Sequence, residues 1–586
     1  MKIKPILLSC ILLLVFPVFI FATGSPSKKG FKKLNSIYTS ATRILDISTV
    51  EQMPAAIDKL NKLQNRYDGD QSVKEVLLLT PETCPAKWEA DYRDALQLQS
   101  DLKDAGKRLA MGGILTGGGN GAAFKSFMDA FKLTDNAEKE PLGYEGAPRE
   151  TVEQRDARMK WWRDGKFGMF IHYGLYSGLG GRVQGKDYEG CVEWIQMQSG
   201  LDSETYAAEA LPLFKPKTGN AEEWVKLAKE AGCTYTVLTS RHHEGFNMFD
   251  TRDSDFNVKK LTGIDVIDEY SKACEKHDMK AGYYVSLLDW SHPDYDPTGS
   301  GISYPAGNYK MQEQGKRQFG NHEKYKEYLF NIVDDLSSKY RVDLVWWDFS
   351  QPKFQGDAAW GATRLMKMLF EKNPNMIQNN RLYHSDNHLS EGGIKVTPTW
   401  KGDYSTAEHH IPATGIDGDW EACQTLNGTW GYSSLNNKWR TSDELIRELI
   451  DVVSRGGNFL LNIGPDAEGG IPEESIRIFK EIGSWMNVNG QAIYETRANP
   501  FPVELTWGRV TRKGDDEIYL LVYEKPESGV IGLPCLFEGG ATATLLDGGK
   551  TVTLNQDQTA NTTTFDLSGM DMNPAATVIK VKGLRK

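Results

Sequence analysis

The sequence predicts an α/β protein, a (β/α)8-like barrel that follows an N-terminal helical segment and precedes a C-terminal antiparallel β-sandwich. Short apolar runs alternate with amphipathic helices in the middle of the chain, as in parallel α/β architectures. Beyond residue 499 the apolar runs lie between Gly, Asp and Pro turns, which favours a sandwich. The stretch Asp343–Asp348 carries four apolar residues between two aspartates, as a strand buried on both faces does.

Length and composition indicate a globular protein of two or three domains. The chain has 586 residues, 40% of them hydrophobic and 25% charged. Its net charge of −11 comes without a basic stripe, so nucleic acid is not an expected partner. The predicted divisions are a signal peptide (1–24), a helical region with a linker (25–135), a catalytic barrel (136–498) and a sandwich (499–586).

The N-terminus predicts export to the periplasm or the cell exterior. Two lysines precede an apolar run from Ile6 to Phe21, and small residues suited to cleavage follow at Ala22–Gly24. An uncleaved anchor is an alternative, since the run is close to spanning length. A lipoprotein site at Cys10 fits less well because that residue lies inside the apolar run.

The other cysteines form no CxxC pair, so neither a structural zinc site nor a thioredoxin-like motif is expected. Disulfides are permitted outside the cytoplasm, but buried free thiols are the preferred interpretation for most of these residues: Cys84, Cys191, Cys233, Cys274, Cys423 and Cys535.

The N-terminal segment has helical, polar sequence from about Lys28 to Leu109. The glycine-rich stretch Met111–Gly121 follows it. No strand precedes these glycines and no Lys-Ser/Thr pair follows them, so a flexible linker is a better interpretation than a phosphate loop.

Six strands are predicted in the barrel: Phe167–His172, Tyr235–Ser240, Ala281–Ser286, Leu344–Asp348, Met376–Asn380 and Phe459–Ile463. The helix Glu222–Gly232 between two of them has one apolar face and a glycine suited to its C-terminal cap. Another helix begins at Thr441 with capping-box spacing. Three strands are predicted in the sandwich: Ile518–Tyr523, Ala541–Leu546 and Ala576–Val581.

Polar side chains close successive strands, and in a parallel barrel such groups meet at the carboxyl-terminal mouth, where active sites lie. His172 closes the first strand and Arg241–Gly245 the second. Tyr284 lies near the end of the third, Asp348 ends the fourth, and Arg381 follows the fifth. The alternative for Asp348 alone is that it caps the next helix.

Several segments resemble glycoside hydrolase family 29, the retaining α-L-fucosidases, over roughly Trp161 to Arg497. They are Lys166–His172, Leu238–Phe246, Ser286–Ser291, Trp430–Tyr432 and Gly456–Pro465. The resemblance implies a barrel with a C-terminal sandwich, and an exo-acting enzyme that removes terminal α-L-fucosyl residues from a fucosylated glycan or a fucose-containing polysaccharide. It implies no cofactor and no metal.

The resemblance also implies roles for individual residues. Asp348 matches the nucleophile, and Glu408 matches one pattern for the acid/base, with Glu421 as its rival. A polar, loop-like segment before Glu408 favours Glu408. The residues implied to bind the sugar are His172, Glu193, Trp194, His242, His243, Tyr284 and Arg381, with aromatic contacts from Phe170, Trp346 and Trp430.

Three departures from the family pattern bear on the shape of the site. Tyr173 stands where a tryptophan is commoner and is expected to alter the site floor, and Glu244 replaces a commoner aspartate. The long stretch Gly299–Gln318 is expected to alter the outer subsites.

The sequence is also compatible with two other functions. The first is a hydrolase for a related α-linked sugar or for sulfated fucan. A sulfated substrate would need local cations such as Arg182 or Lys186. The second is a non-catalytic carbohydrate-binding protein, which the pair of candidate carboxylates disfavours. A metal at His242 and His243 is not expected, because neighbouring strand residues point to opposite sides.

Overall fold

The computed structural model describes residues 27–46, 52–79, 84–111, 123–124, 126–128, 130–133, 147, 150–296, 304–318, 320–350, 354–383, 402–412, 415–416, 418–436, 438–501 and 505–584. The predicted signal peptide lies outside these ranges, as does the glycine-rich stretch apart from Met111. None of the helices within these ranges is long and apolar enough to cross a membrane.

The chain divides into two compact units, Met1–Glu138 and Lys139–Lys586. The described part of the first unit is helical, as predicted. Its own core contains buried residues such as Leu34, Tyr38 and Leu102. Its helices are α1 (Lys28–Ile44), α2 (Met53–Tyr67), α3 (Gln71–Leu77) and α4 (Glu89–Met111), with a 3₁₀ turn at Ala86–Trp88.

Eight parallel strands and a small hairpin occupy the first part of the second unit. The strands are β1 (Phe167–Ile171), the hairpin β2 (Arg182–Val183) and β3 (Lys186–Asp187), β4 (Tyr235–Arg241), β5 (Lys280–Ser286), β6 (Leu344–Asp348), β7 (Ile377–Gln378), β8 (Ser405–Glu408), β9 (Trp420–Gln424) and β10 (Asn458–Ile463). The helices are α5 (Val152–Gly165), α6 (Leu175–Leu179), α7 (Ile195–Ser199), α8 (Ser203–Ala210), α9 (Asn220–Glu230), α10 (Val258–Thr262), α11 (Val266–Lys276), α12 (Ala306–Glu313), α13 (His322–Lys339), α14 (Gly356–Trp360), α15 (Ala362–Lys372), α16 (Ser442–Ser454) and α17 (Glu473–Asn489), with 3₁₀ turns at Val192–Trp194 and Gly490–Ala492.

The parallel strands form a closed barrel. Their order in the sheet is β7-β6-β5-β4-β1-β10-β9-β8. A parallel bridge between Asn379 and Tyr404 joins the two outer strands, and the Asn380 amide donates to the Tyr404 carbonyl at 3.0 Å. The (β/α)8-like prediction is therefore confirmed.

All six predicted barrel strands are present, and their ends lie within two residues of the predicted ones. The strands β8 and β9 were not predicted. The predicted helices are also present: Gly232 has a positive φ of 87° just beyond α9, and Thr441 forms a capping box with Glu444 at the start of α16.

Alternation along the strands determines which side chains enter the barrel. In β6, Leu344 and Trp346 belong to the interior cluster, whereas Val345 and Trp347 pack in the layer between strands and helices. Asp348 continues the inward series at the carboxyl end of the strand. Both faces of β6 are buried, as its apolar sequence predicts.

Helix α5 closes the amino end of the barrel. Trp162 stacks on Tyr404 with ring centroids 4.6 Å apart. The Arg158 guanidinium donates to the Asp403 carboxylate at 2.7 Å and to the Met376 carbonyl at 2.8 Å. The helix therefore binds the backbone and side chains just before β7 and β8, the seam where the barrel closes.

The C-terminal part is an antiparallel β-sandwich, as predicted. Its sheets have the orders β11-β12-β17-β14 and β13-β16-β15. The Arg447 side chain of α16 donates to the Ala575 carbonyl, and Trp485 of α17 donates to that of Ala576. The strands are β11 (Gly508–Lys513), β12 (Glu517–Val522), β13 (Val530–Leu533), β14 (Phe537–Leu545), β15 (Thr553–Asp557), β16 (Thr562–Asp566) and β17 (Thr577–Leu584).

Candidate active site

Asp348 is held at the barrel mouth by two donors. It is the last residue of β6, and its side chain is 12% exposed. The Tyr284 hydroxyl, from the neighbouring strand β5, donates to Oδ2 at 2.6 Å. The Arg381 guanidinium donates to Oδ1 at 2.7 Å. Two short hydrogen bonds to separate oxygens fix the orientation of the carboxylate.

Arg381 joins two carboxylates through one guanidinium. Besides Asp348, it donates to Glu408 Oε2 at 2.9 Å and to the Thr406 hydroxyl at 2.7 Å. Its plane lies over Trp346, with Cζ 4.3 Å from the ring centroid. These negative neighbours raise the pKa of Arg381 despite its burial, so the guanidinium is a permanent positive charge between the two acids.

Glu408 is the last residue of β8, which begins at Ser405, at the end of the segment predicted to be loop-like. Its side chain is 26% exposed and reaches the mouth beside Asp348. The residue after each carboxylate adopts a left-handed conformation, Phe349 with φ 79° and His409 with φ 54°. Such conformations are costly for residues with a Cβ and are concentrated at functional sites. Both strands therefore end abruptly at their acid.

Glu421 lies inside the barrel and is fully buried. Trp346 Nε1 donates to Oε1 at 2.9 Å, and the Tyr235 hydroxyl donates to Oε2 at 2.6 Å. Tyr235 is the first residue of β4, at the end of the strand opposite the mouth. Burial raises the pKa of Glu421 to about 7. Both oxygens serve internal hydrogen bonds, away from the solvent-exposed edge that Glu408 occupies.

Three imidazoles lie side by side next to Asp348. The ring centroids of His242 and His243 are 4.1 Å apart, and those of His172 and His242 are 5.9 Å apart. The expectation that His242 and His243 point to opposite sides is wrong, because β4 ends at Arg241 and the strand alternation ends with it. His243 Nε2 lies 3.8 Å from Asp348 Oδ2.

Burial keeps two of these imidazoles neutral. His172 and His243 are both buried, and desolvation lowers the pKa of each well below its usual value. The neighbouring His242 lowers both pKa values further. A neutral imidazole offers one donor and one acceptor, which suits the recognition of hydroxyl groups.

Aromatic rings lie beside these imidazoles, with Phe170 4.5 Å and Trp430 5.1 Å from His172 between ring centroids. Phe170 lies 5.0 Å from Trp346 and 5.8 Å from Trp430 between ring centroids. The exposed ring of His409 packs on Trp430 at 4.8 Å. The predicted aromatic residues Phe170, Trp346 and Trp430 are thus brought together around one space.

Glu193 and Trp194 come from the 3₁₀ turn that faces the Trp430 loop. Glu193 Oε2 accepts from the Gly431 amide at 3.0 Å, and burial raises the pKa of this carboxyl. Trp194 lies 4.9 Å from His243 and 5.6 Å from Phe349 between ring centroids. The predicted site residues therefore converge on the carboxyl end of the barrel, whereas the rival carboxylate Glu421 lies inside it.

The departures from the family pattern fall in different places. Tyr173 packs against Phe214 and Trp224 in the outer layer, so the expectation that it shapes the site floor is wrong. Glu244 is buried, with Oε2 3.6 Å from His242 Nδ1.

The described part of the long stretch Gly299–Gln318 and the candidate cations Arg182 and Lys186 lie in different places. The described residues 304–318 include α12, and Arg317 donates to the Trp290 carbonyl at 3.1 Å. Arg182 and Lys186 lie on the exposed β2–β3 hairpin, where Arg182 donates to Asp187 at 2.9 Å.

The cysteines of the described residues are free thiols. Cys233, Cys274 and Cys423 are buried, as expected, whereas Cys84, Cys191 and Cys535 are partly exposed. Within the same ranges, no three His, Cys, Asp or Glu side chains are grouped so that they could hold a metal ion.

Three residues at the site were not predicted. Thr406 accepts from Arg381, Asn462 contacts His172, and Ser286 contacts His243. Asn462 and Ser286 occupy inward-facing positions of their strands. Each lies two residues after an interior side chain, Leu460 and Tyr284 respectively. A polar residue at an inward position near a strand end is the signal that could have identified them.

Two carboxylates meet at the mouth, one of them partly exposed. Glycosidic bond cleavage requires such a pair, one as nucleophile or base and the other as proton donor. Neutral imidazoles in contact with aromatic rings suit a ligand with hydroxyl groups and an apolar face.

The comparisons with known proteins agree with this geometry. A family model described as alpha-L-fucosidase matches residues 134–491. An α-L-fucosidase of Dictyostelium discoideum is 27% identical over 397 residues, which cover 63% of this chain and 79% of that protein.

Solved structures are similar over most of the chain. α-L-Fucosidase isoenzyme 1 of Paenibacillus thiaminolyticus is 31% identical, with a TM-score of 0.64, and the match covers 74% of this chain and 100% of that one. A Bacteroides thetaiotaomicron α-L-fucosidase of glycoside hydrolase family 29, trapped as a covalent intermediate, is 27% identical with a TM-score of 0.62, and the match covers 76% and 99% of the two chains.

Proposed function

The chain belongs to the α-L-fucosidase family, glycoside hydrolase family 29, and from this premise we propose how its residues divide the reaction. The protein is a glycoside hydrolase, a retaining α-L-fucosidase that acts on terminal α-L-fucosyl residues of glycans. The observation that carries the proposed roles is the guanidinium of Arg381, which binds Asp348 and Glu408 together at the barrel mouth.

In the first step an Asp348 oxygen attacks the anomeric carbon while the bond to the leaving oxygen breaks. Glu408 gives its proton to that oxygen, and a fucosyl ester of Asp348 results. In the second step Glu408 takes a proton from water, the water oxygen attacks the anomeric carbon, and Asp348 departs as carboxylate. Two inversions leave the configuration retained. The ~5–5.5 Å carboxyl separation typical of this mechanism is compatible with two acids that share one guanidinium.

Arg381 is the counter-charge for both steps. Asp348 is negative before the first step and neutral as an ester after it, whereas Glu408 is neutral before and negative after. The negative charge thus passes from one acid to the other without leaving the guanidinium that contacts both. Preorganised charge of this kind needs no reorganisation during the reaction.

The sugar is recognised by polar and aromatic groups of the mouth. Buried His172 and His243 serve as partners of fucose hydroxyls, and Glu193, His242 and Trp194 add to these polar contacts. Phe170, Trp346 and Trp430 contact the apolar face and the C5 methyl. A methyl pocket discriminates against a hydroxylated relative by only ~1–3 kcal/mol.

The N-terminal sequence supports export as part of the proposal, through the apolar run Ile6–Phe21 after two lysines. The substrate is then a fucosylated glycan or fucose-containing polysaccharide outside the cytoplasm. The net charge of −11 supports the exclusion of nucleic acid as a partner.

The test is the hydrolysis of 4-nitrophenyl α-L-fucoside by the full chain, with the anomer of the released sugar followed by NMR. We expect turnover and first release of the α-anomer, and no turnover of the corresponding β-fucoside. A protein that binds the α-fucoside but releases no nitrophenol would be a carbohydrate-binding protein and not an enzyme.

A further inference from the structure

The hydrogen bonds of Asn462 determine which nitrogen of His172 carries the proton. Asn462 Nδ2 donates to the Trp430 carbonyl at 2.7 Å. A carbonyl can only accept, so the amide cannot be turned the other way. Asn462 Oδ1, an acceptor, lies 2.7 Å from His172 Nδ1. His172 Nδ1 must therefore be the protonated nitrogen, and Nε2 carries the lone pair.

The protonated nitrogen of His243 is determined in the same way, by its hydrogen bond with Ser286. The Ser286 hydroxyl lies 2.9 Å from the Leu288 carbonyl and 2.7 Å from His243 Nδ1. It has a single proton, which goes to the carbonyl because the carbonyl cannot donate. Ser286 Oγ then accepts from His243 Nδ1–H, and the lone pair lies on Nε2. At 3.8 Å from Asp348 this nitrogen has no direct hydrogen bond to the carboxylate.

All four side chains are buried, none exposed by more than 3%. Water therefore cannot replace a lost partner, and the alternative tautomers would leave two acceptors facing each other in a desolvated site. Such contacts are costly in a low-dielectric interior. Burial also lowers the pKa of both imidazoles, so protonation does not remove the distinction between their nitrogens.

We propose that Asn462 and Ser286 are positioning residues that fix His172 and His243 as hydrogen-bond acceptors through Nε2. The fucose hydroxyls that face these two nitrogens must then donate. The inference rests on the proposed function and adds a direction to its hydrogen bonds. It excludes ligands that present an acceptor-only group at these two positions.

His242, the third imidazole, has no such partner in the described part of the chain to fix its tautomer. Its Nδ1 lies 3.6 Å from Glu244 Oε2, beyond hydrogen-bond length, and has no hydrogen-bond partner among the described residues. Its tautomer is not fixed by a neighbour, so only two of the three histidines are assigned as acceptors.

The first test uses substituted methyl α-L-fucosides as competitive inhibitors of wild-type enzyme. One hydroxyl at a time is replaced by hydrogen or by fluorine. Fluorine can accept a hydrogen bond but cannot donate one. At two of the ring positions we expect the fluoro and the deoxy compounds to bind equally weakly. Each should bind roughly 5- to 150-fold more weakly than the parent methyl α-L-fucoside. Fluoro compounds that match the parent at every position would overturn the proposal.

The second test asks whether Ser286 is responsible for one of these positions. In Ser286→Ala the ratio of inhibition constants between fluoro and parent compounds should fall toward one at a single position. Ser240→Ala is the matched control, because Ser240 is a buried hydroxyl on the neighbouring strand that donates to the Tyr284 carbonyl at 2.8 Å and not to a histidine. An equal ratio in both variants would contradict the assignment.

The two failures are distinguishable. If methyl α-L-fucoside itself does not inhibit and the aryl fucoside is not hydrolysed, the proposed function fails and the inference falls with it. If the parent compound inhibits but the fluoro series does not discriminate, only the tautomer assignment is wrong. Should Ser286→Ala not fold, the wild-type series still decides.

Discussion

Two glutamates compete for the role of acid/base, and their surroundings differ sharply. Glu408 is partly exposed at the mouth and bound to Arg381, whereas Glu421 is fully buried and bound to Tyr235 and Trp346. Only Glu408 is within reach of a leaving oxygen that enters from solvent. Because β8 holds it, the side chain is positioned by a strand and not by a loop.

The choice is tested by the dependence of rate on the leaving group. Glu408→Ala should hydrolyse natural fucosyl glycans far more slowly than the parent, but activated aryl fucosides only moderately so, because a good leaving group departs without a proton. Its pH–rate profile should lose the basic limb. If Glu421→Ala shows this pattern and Glu408→Ala does not, the roles must be exchanged.

The buried Glu421 should make stability depend on pH. Burial raises its pKa from 4.5 to about 7, so between these values the folded protein keeps a proton that the unfolded chain releases. The contribution of Glu421 to the free energy of unfolding should therefore fall as pH rises from about 4.5 to about 7, by about 3 kcal/mol in total. Glu421→Gln does not titrate and should lack this decrease.

Urea denaturation of both proteins at several pH values between 4.5 and 7.5 measures the difference. The stability of the wild-type protein relative to Glu421→Gln should be highest at the acidic end. Parallel stability curves for the two proteins would show that Glu421 ionises normally in the folded state.

At the scale of elements, the seam between β7 and β8 depends on helix α5. Asp403 is fully buried, accepts from Arg158 at 2.7 Å, and accepts from the Gln378 amide at 2.9 Å. Removal of this carboxylate takes one partner from Arg158, which keeps its pair with Glu150, and one from the Gln378 amide. Each lost hydrogen bond to a charged group typically costs ~1.5–3 kcal/mol.

Asp403→Ala should therefore lower the free energy of unfolding by about 3–6 kcal/mol, the sum of two such losses. Asp156→Ala is the matched control, an acidic residue of helix α5 that pairs with Arg163 but is 56% exposed, and exposed pairs contribute ~0–1 kcal/mol. Equal losses in the two variants would mean that the seam does not depend on Asp403.

The missed strands β8 and β9 show where sequence patterns lose information. The apolar strands, such as Leu344–Asp348, were found because burial on both faces leaves an uninterrupted apolar run. Ser405–Glu408 and Trp420–Gln424 carry carboxylates and small residues instead, because their inward side chains belong to the polar network of the interior. That network becomes visible only when distant strands come together, as Glu421 meets Tyr235.

At the scale of the whole molecule, the barrel brings together residues that are far apart in the chain. Convergence at the mouth was predictable, because parallel strands present their carboxyl ends to one side. The pairing of Asp348 with Glu408 through Arg381 was not, since it depends on the order of β6, β7 and β8 around the barrel. Likewise, a strand's end cannot be located to one residue from sequence, and the adjacent histidines lie just past such an end.

The barrel and the sandwich belong to one compact unit, and the site residues all lie within it. Arg447 and Trp485, on the helices that follow β9 and β10, donate to carbonyls in the last strand region. The sandwich thus supports two helices of the barrel layer and contributes no side chain to the described mouth.

The proposed mechanism requires Asp348 to form a covalent bond to the sugar. Asp348→Gly removes the nucleophile but leaves the Arg381–Glu408 pair, so a small external anion can occupy its place. With 4-nitrophenyl α-L-fucoside, the variant should be nearly inactive, and added azide should restore turnover with β-L-fucosyl azide as product. Azide-independent turnover at the wild-type rate, or an α-configured azide, would contradict a double displacement through Asp348.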